Sequence, residues 1–242
     1  MKQNENQNLM NWNHRISIII PMLNEADHIE KLLHHILENS SNKNIEEIII
    51  IDGGSTDNST GIVSKFKNII LLESLKGRAK QLNFGAKKAK GNILYFLHAD
   101  SFPPKDFDEK IIEEIQKNNT GCFRLKFDNP DHYLLKISQL FTRFNFQLFR
   151  GGDQSLFIRK KDYDLLDGFN EKYIIYEDVE FIHRIYKKYT FKIINDYVVT
   201  SERKFKKNGI WKLHFNFLMI HIKNWLGDPP EALFKYYTKH IK

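Results

Sequence analysis

Short apolar runs alternate with helix-period segments through the first half of the chain. Residues 16–20, 48–51 and 93–97 are almost entirely apolar, which is typical of strands buried on both faces of a sheet. Between the first two runs, residues 25–37 carry apolar side chains at the spacing of one helix face. This alternation predicts parallel strands joined by crossover helices, and hence an α/β fold with a mostly parallel sheet flanked by helices.

The same patterns predict the other elements. Strands are expected at 16–20, 48–51, 69–72, 93–97, 121–127, 155–159 and 191–194. Helices are expected at 25–37, 56–66, 78–89, 105–117, 133–149, 176–189, 210–226 and 231–239, with a turn at 161–166. Pro103 and Pro104 are expected to begin the helix at 105–117, because Pro suits the first turn of a helix.

The domain organisation follows from where these patterns begin and end. Residues 1–13 are polar, lack the apolar segment of a signal peptide and are predicted to be a flexible leader. Residues 14–200 form the predicted α/β domain. Residues 201–242 are a basic segment and C-terminal helices, packed on the domain or lying at a membrane surface.

Length, cysteine content and hydropathy indicate the size of the domain and its cellular location. The 242 residues suit one large domain. The single cysteine, Cys122, excludes an internal disulfide and fits a reducing compartment, so a cytoplasmic location is expected, either free or on the inner face of the cell membrane. No stretch has the roughly 18 apolar residues of a membrane span. Oligomeric state cannot be read from the sequence.

The formal net charge of +7 has two interpretations. It reflects compositional bias, since many lysines are scattered, or it serves an anionic partner. The one dense cluster, Arg203 to Lys207, is a solvated run, a diphosphate clamp or a patch for lipid headgroups. The chain lacks a recognisable nucleic-acid-binding module, so no nucleic-acid partner is expected.

Candidate chemistry gathers where the predicted strands end. Pro21, Asn24 and Glu25 follow the first run, Asp52 follows the second, and His98-Ala99-Asp100 follows the fourth. Ligands of open parallel sheets bind outside the carboxyl ends of the strands, so these turns are expected to meet at one edge. Converging carboxylates there favour a cation and a phosphorylated ligand.

Each acidic turn also has a structural alternative. Asp52, followed by two glycines, either caps a turn or accepts hydrogen bonds from a base or ribose. Glu25 either complements a helix dipole or faces a ligand. His98 and Asp100 share one side of an extended chain and could hold Mg²⁺ together with substrate phosphates, or Asp100 could simply be a turn residue.

Three further groups carry candidate chemistry. Glu177 and Asp178 open a helix, either as acids favoured by its dipole or as a general base with its neighbour. A polar turn with Arg78 is either a phosphate site at a helix N-terminus or a solvated helix start. Asp153 and Gln154 are either loop residues or polar groups that read a sugar. The polar turn comprises Gly77, Arg78, Gln81 and Asn83.

The helix predicted at 210–226 mixes aromatic and aliphatic residues with Lys and His. Aromatic residues beside basic ones suit a helix on a membrane surface. The alternative is a helix packed on the domain or at a dimer interface.

In their order along the chain, these motifs resemble the family 2 glycosyltransferases, which have the GT-A fold. The segments that carry the resemblance are residues 18–25, 52–57 and 77–86, His98-Ala99-Asp100, Gly152-Asp153-Gln154 and Glu177-Asp178. The similarity covers about residues 16–226. Within the family, the chain is most similar to the short radical-SAM/selenodomain-associated type 2 transferases.

The resemblance implies a role for each position. Asn24, Glu25 and Asp52 would contact the nucleoside, and Arg78 would lie near the diphosphate. Asp100 would ligate Mg²⁺ or Mn²⁺, with His98 standing where the family has the first Asp of its D-x-D motif. Asp178 would be the base, supported by Glu177, in an inverting transfer. The full set implied for the nucleotide sugar is Pro21, Asn24, Glu25, Asp52, Gly77, Arg78, Gln81, Asn83, His98, Ala99 and Arg203, with Asp153 and Gln154 on the acceptor side.

The function implied is transfer of a sugar from a nucleoside diphosphate, by default uridine diphosphate, to an acceptor hydroxyl. A lipid-linked acceptor is a hypothesis. The family's Q-x-x-R-W motif is absent, and residues 201–205 stand in its place, with Arg203 toward phosphate. The alternative is a non-catalytic nucleotide-sugar-binding or membrane-surface protein on the same fold. A nucleotidyltransferase is disfavoured because no Gly-rich basic loop follows the first strand.

Overall fold

A computed structural model describes residues 14–130 and 132–241, so the prediction for residues 1–13 lies outside the described residues. In the described part, eight strands form one sheet in the order β3-β2-β1-β4-β7-β6-β8-β5. They are β1 Ile16–Met22, β2 Ile45–Asp52, β3 Ile69–Glu73, β4 Ile93–Phe96, β5 Ser101–Phe102, β6 Thr120–Phe127, β7 Leu156–Arg159 and β8 Phe191–Thr200. The predicted α/β class with a mostly parallel sheet is confirmed.

Helices cover both faces of this sheet and extend beyond it at the C-terminus. They are α1 Ile29–Asn39, α2 Ser59–Val63, α3 Arg78–Lys88, α4 Phe107–Lys117, α5 Tyr133–Phe141, α6 Lys160–Asp164, α7 Glu177–Lys188, α8 Arg203–Asn208, α9 Ile210–Trp225 and α10 Pro230–His240. Two short 3₁₀ helices, Gln147–Phe149 and Gly152–Gln154, precede β7.

The apolar runs are continuous because β1 is buried on both faces. Ile18 and Ile20 point into one core, with Leu32 of α1, while Ile19 points into a second core with Leu82 of α3. A strand with only one buried face would alternate with polar residues. Parallel pairing of β3, β2, β1 and β4 therefore brings the carboxyl ends of all four strands to one edge.

The second half of the sheet is mixed. β7 runs antiparallel to both β4 and β6, whereas β6 and β8 are parallel. β8 continues to Thr200, well past the predicted end at residue 194. The register shifts so that Phe123 pairs with Ile194 and Arg124 with Tyr197, which leaves Asn195 and Asp196 in a bulge. Those two polar residues interrupt the apolar pattern, so the pattern did not predict the part of β8 that follows them.

Several predicted helix bounds were wrong because side chains bind the backbone at the ends. α1 begins at Ile29 rather than residue 25, since the backbone N–H groups of Glu25 and Ala26 bind the side chains of Ser59 and Asp57. α2 is shorter than the predicted 56–66. The helix predicted at 133–149 stops at Phe141. Beyond it, the buried guanidinium of Arg150 donates to the carbonyls of Thr142 and Phe144, which holds a turn in place of further helix.

Two other regions differ from the prediction. The two prolines do not begin α4, because Ser101–Phe102 first forms β5 against β8. The helix begins at Phe107, directly after Asp106, whose backbone is left-handed (φ 57°). The basic cluster, expected only as a charged segment, forms α8.

The C-terminal helices pack on the domain. Leu213 and Ile220 of α9 are buried with Ile241, against Tyr176 and Phe205. The start of α9 and Phe205 also pack on Leu125 and Leu135. Within the described ranges, no helix combines the length and the apolar character that crossing a bilayer requires.

Gly121 of β6 lies close to both neighbouring strands, β7 and β8. A Cβ there would lie 2.2 Å from the backbone oxygen of Lys192 and 2.6 Å from the Phe157 ring. The carbonyl cannot rotate away, so we expect Gly121→Ala to lower the free energy of unfolding by at least about 1–3 kcal/mol. Urea denaturation measures this. Lys126→Ala, at an exposed position on the same strand, is the control and should change it by less than about 0.5 kcal/mol. Equal midpoints for both variants would contradict the crowding.

Candidate active site

The turns after β1 and β2 hold each other. The Asp52 carboxylate is buried and accepts hydrogen bonds from the backbone N–H groups of Gly54 and Ser55. Asn24, in a left-handed conformation (φ 56°), accepts from the N–H of Thr56 through its side-chain oxygen at 2.7 Å. Both side chains therefore shape the edge of the sheet in this structure.

Gln81 and Asn83 of α3 are also bound to the protein. The Gln81 amide donates to the carbonyls of Met22 and Ile51, at the ends of β1 and β2. The Asn83 amide donates to the Phe169 carbonyl, and its oxygen accepts from the Phe169 N–H. These contacts dock the start of α3 against the sheet and the loop after α6, which places Arg78 at the edge.

Two adjoining cavities open above this edge, with volumes of about 730 and 680 Å³. They share Pro21, Glu25, Arg78 and Ile174. Of the residues expected from the sequence, the first is lined by Pro21, Glu25, Arg78, His98, Ala99, Asp100, Asp153, Asp178 and Arg203. The second is lined by Pro21, Glu25, Gly77, Arg78 and Gln81. Asn24, Asp52, Asn83, Gln154 and Glu177 do not line either of these two cavities.

An ion pair joins the two halves of the site. Arg78, the first residue of α3, donates to the Oε1 atom of Glu177, the first residue of α7, at 3.0 Å. The Glu177 side chain is fully buried, whereas 46% of the Arg78 side chain is exposed. Burial raises the pKa of Glu177, although Arg78 acts against this shift. The negative charge of Glu177, followed by those of Asp178 and Asp153, raises the pKa of Arg78 despite its partial burial.

Asp178 faces the cavity and is held by the backbone. Its Oδ2 atom accepts a hydrogen bond from the N–H of Gly152, and its Oδ1 atom accepts one from the N–H of Val179 at 2.8 Å. A Cβ on Gly152 would lie 2.6 Å from Oδ2 of Asp178 and 2.8 Å from Nε2 of His98. Glycine at this position is therefore what lets the carboxylate and the imidazole approach the same loop.

His98 pairs with Asp153 across this loop. The Nδ1 atom of His98 lies 3.1 Å from Oδ1 of Asp153. Desolvation opposes ionisation of Asp153, but its side chain is 65% exposed. The hydrogen bond and charge of His98, with Arg78 and Lys204, lower the pKa of Asp153 to about 2. The neighbouring Gln154 is instead buried, where it accepts from Arg150.

Arg203 reaches the same edge from α8. Its Nη2 atom lies 2.7 Å from Oε1 of Glu25 and 3.4 Å from Oδ2 of Asp100, and Nη1 lies 3.3 Å from Nε2 of His28. The guanidinium thus neutralises the carboxylates that the sequence placed near a phosphorylated ligand. Among residues 14–130 and 132–241, no three His, Cys, Asp or Glu side chains converge to hold a metal ion.

The sequence did not predict that the C-terminal helices form one wall of the first cavity. Phe217, Ile220 and His221 of α9 and Tyr237 of α10 line the first cavity. The Lys204 ammonium lies 5.4 Å from the Phe217 ring centroid and 5.1 Å from that of Tyr237. The dense basic cluster was a usable signal for Lys204, but spacing along the chain gave none for the aromatic residues, because they reach the site only through packing.

Tyr176 links this wall to the start of α7. Its hydroxyl lies 2.8 Å from Nδ1 of His221, and its backbone is left-handed (φ 70°) directly before Glu177. Burial raises the pKa of Tyr176 and lowers that of His221, which fits a phenol that donates to a neutral imidazole. The contact fixes the direction in which α7 enters the site.

Comparison with known proteins identifies the class. The model of glycosyl transferase family 2 matches residues 17–166, more than half of the chain. The chain therefore belongs to the family 2 glycosyltransferases, as the motifs predicted.

The chain matches less than half the length of each of two curated relatives. The chain is 32% identical over 117 residues to the putative teichuronic acid biosynthesis glycosyltransferase TuaG of Bacillus subtilis, covering 46% of each protein. It is 29% identical over 106 residues to glycosyltransferase AglE of Haloferax volcanii, covering 41% of this chain and 35% of that protein. The matches thus span between a third and a half of these relatives.

Two solved structures share the fold. The mannosyltransferase PcManGT of Pyrobaculum calidifontis, in complex with GDP-Man and Mn²⁺, superposes with a TM-score of 0.66 at 20% identity, over 94% of this chain and 70% of that one. TarS 1–349 of S. aureus with UDP-GlcNAc gives 0.62 at 18% identity, over 77% and 58%. At these identities the likeness establishes the GT-A fold.

The adjacent glycines before Asp153 provide a matched test of the site. We expect Gly152→Ala to lower the free energy of unfolding by about 1 kcal/mol, because its Cβ would push aside the side-chain ends of Asp178 and His98. Gly151 is extended (φ −162°), and its Cβ would come no closer than 3.9 Å to Asp178. Gly151→Ala is therefore the control and should be nearly neutral in urea denaturation. If the two variants lost equal stability, the loop would not be held as described.

Burial of Glu177 predicts a pH dependence of stability. Its pKa is raised in the folded state above the ordinary value of 4.5, so unfolding releases its proton over the interval between the two values. Its contribution to stability is fully present below about pH 4.5 and is lost as the pH rises through the folded pKa. We expect Glu177→Gln to remove this decline, which is at most about 1.4 kcal/mol per pH unit for one proton. Urea denaturation of the unaltered protein and of Glu177→Gln, from pH 4 upward, measures this. If the free energies of unfolding of the two proteins changed with pH in parallel, the prediction would be wrong.

Proposed function

We propose that the protein is a metal-dependent, inverting glycosyltransferase that moves a sugar from a nucleoside diphosphate to an acceptor hydroxyl. The observation that carries the proposal is that Asp178, Asp100 and a group of cationic side chains line one cavity. Such a cavity offers a base for the acceptor and positive charge for the leaving diphosphate. Membership of the family supports the same chemistry.

The donor is proposed to span both cavities. The second cavity lies between the end of β1 and the start of α3 and suits the nucleoside, with Gly77 and Arg78 beside the phosphates. We take a uridine diphosphate sugar as the donor, which the TarS complex with UDP-GlcNAc supports; the PcManGT complex holds GDP-Man instead. The assignment to the radical-SAM-associated subgroup rests on motif order alone and stays a prediction.

The cation is proposed to bind Asp100. Mg²⁺ often takes only one or two carboxylates, its other ligands being water and substrate phosphates. Asp100 lines the cavity, and 20% of its side chain is exposed. One accessible carboxylate is enough for a cation whose other ligands are water and phosphate, so a cluster of three protein ligands is not required. The ring of His98 is paired with Asp153, so we place the cation on Asp100 first. A bound cation supplies charge that stabilises the departing diphosphate.

Cationic side chains complete the leaving-group site. Arg78 is fixed by Glu177, and Lys204 is held between the rings of Phe217 and Tyr237. Arg203 now neutralises Glu25 and Asp100, and it would pair with phosphate once a cation takes over Asp100. The leaving diphosphate gains charge as the glycosidic bond breaks, so these groups favour the transition state over the bound substrate.

Asp178 is proposed to be the base. Its two oxygens accept from the N–H groups of Gly152 and Val179, which fixes the carboxylate at the cavity wall. There it would take the proton of the acceptor hydroxyl as the oxygen attacks the sugar carbon. A single displacement with one base inverts that carbon. The buried Glu177 holds Arg78 and does not touch the cavity.

The acceptor is proposed to be a hydroxyl group carried on a lipid. The first cavity is walled by Phe217 and Ile220 of α9, which suit an apolar neighbour of the reacting group. A relative from Methanococcus voltae, 33% identical over 109 residues, is named as acting on a dolichyl N-acetylglucosaminyl phosphate.

Donor binding and chemistry are separated by two substitutions. We expect nucleoside diphosphates and their sugars, tested with Mn²⁺, to raise the melting temperature of the protein, because they bind the folded state. The metal-dependent part should be lost in Asp100→Ala and kept in Asp178→Ala. In a transfer assay, Asp178→Ala should lower the rate by about 10²- to 10⁴-fold.

The outcomes against the proposal are equally specific. No shift with any nucleotide would remove the donor site. A shift without transfer by the unaltered protein, across lipid and soluble acceptors, would favour a non-catalytic nucleotide-sugar-binding protein. The observation that favours this second function is the ion pair between Arg203 and Asp100, because it occupies the carboxylate proposed to bind the cation.

A further inference from the structure

Helix α9 has an exposed face that the catalytic chemistry does not use. Trp211, Phe215, Leu218, Ile222 and Trp225 are all exposed, by 37% to 82%. At about 100° per residue they fall within an arc of about 80°, which makes one straight apolar stripe. The opposite side of the helix carries Leu213 and Ile220, which are buried. The helix is thus apolar on the side toward the domain and on the side toward solvent.

Helix α5 and the segment after it extend this surface. Tyr133, Ile137, Leu140 and Phe141 of α5 are exposed, and the exposed Phe144, Phe146 and Leu148 follow. The Tyr133 and Trp211 rings lie 6.4 Å apart, so the stripes of α5 and α9 meet at Trp211. Beneath them, Leu135 packs on Ile210 and Phe205. We call the exposed residues of 133–148 and 211–226 the two-helix surface.

Such a surface is unusual for a protein that has no partner. Contiguous exposed apolar patches beyond a few hundred Å² mark sites of contact with proteins or membranes. Aromatic side chains stand at both ends of the α9 stripe, where Trp225 is 82% exposed. Indole rings prefer the boundary between lipid headgroups and acyl chains.

The charge around the surface identifies the partner. Residues 133–149 and 210–226 contain Lys136, Arg143, Lys212 and Lys223, but no Asp or Glu. Lys223 is paired with Asp228, which follows α9, at 2.7 Å, so Lys136, Arg143 and Lys212 carry the argument. An apolar stripe with these cations beside it complements the headgroups of an anionic bilayer. In a symmetric dimer, the same face would meet its own copy and bring like charges together, so the charge pattern disfavours a second copy of this chain.

We propose that the two-helix surface docks the protein on an anionic lipid bilayer, with α9 lying in the interface. The inner side of the same helix lines the first cavity through Phe217 and His221. Docking therefore holds that cavity one helix diameter, about 10 Å, from the lipid. The surface stands on exposure and charge alone and does not depend on the proposed glycosyl transfer.

Vesicle flotation without donor or metal tests the docking. We expect the protein to float with vesicles of phosphatidylcholine and phosphatidylglycerol at low salt, and much less with phosphatidylcholine alone. Replacing two exposed residues of the stripe, in Leu218→Ser/Trp225→Ser, should lower partitioning at least about tenfold. Leu165→Ser is the matched control, because Leu165 is 64% exposed and lies outside both helices. Lys136→Glu/Lys212→Glu should remove the dependence on anionic lipid.

Melting temperatures of all variants show that each is folded. Absence of binding by the unaltered protein at low salt would overturn the proposal, as would equal binding by Leu218→Ser/Trp225→Ser. A dimer in solution that this double variant disperses, with no vesicle binding, would assign the surface to a second copy instead. Enhanced quenching of tryptophan fluorescence by brominated lipid, lost in the double variant, would support insertion of α9. None of these results bears on the donor site, so failure here leaves the proposed function to its own test.

Discussion

The ion pair between Arg78 and Glu177 is the contact on which the site depends. The two residues are 99 positions apart and each begins a helix, α3 from the parallel half of the sheet and α7 from the mixed half. Removing Arg78 would leave the fully buried Glu177 carboxylate without its ionic partner, which is among the costliest changes in a protein. The pair therefore ties the side of the site proposed for the donor to the side that carries Asp178.

A second set of contacts makes the edge of the sheet rigid before any ligand arrives. Asp52, Asn24 and Gln81 satisfy backbone groups at the ends of β1 and β2. Groups held in place by the fold need little reorganisation when charge develops, which is the physical basis of electrostatic catalysis. These residues matter for the site through the backbone that they hold, whichever groups touch the ligand.

The C-terminal helices serve two surfaces at once. Helix α9 lines the cavity with Phe217 and Ile220 and exposes Trp211 and Trp225 on its other side. From helix α8, Arg203 forms an ion pair with Asp100, and the charge of Lys204 helps to lower the pKa of Asp153. The extension is thus part of the site, and the proposed transfer and the proposed membrane contact meet in one helix.

The sequence by itself determined the α/β class, most strand positions, the family, and the acidic residues at the strand ends. These follow from local information, since a strand buried on both faces must be continuously apolar and parallel strands end at one edge. Only the tertiary structure decided what each polar side chain binds. It turned Asp52 and Gln154 inward to protein partners, paired His98 with Asp153, and brought Arg203 to Glu25. It also placed Tyr176 and His221 together and joined the stripes of α5 and α9. Such contacts join residues far apart in the chain, and periodicity within a segment carries no information about which distant segment will pack against it.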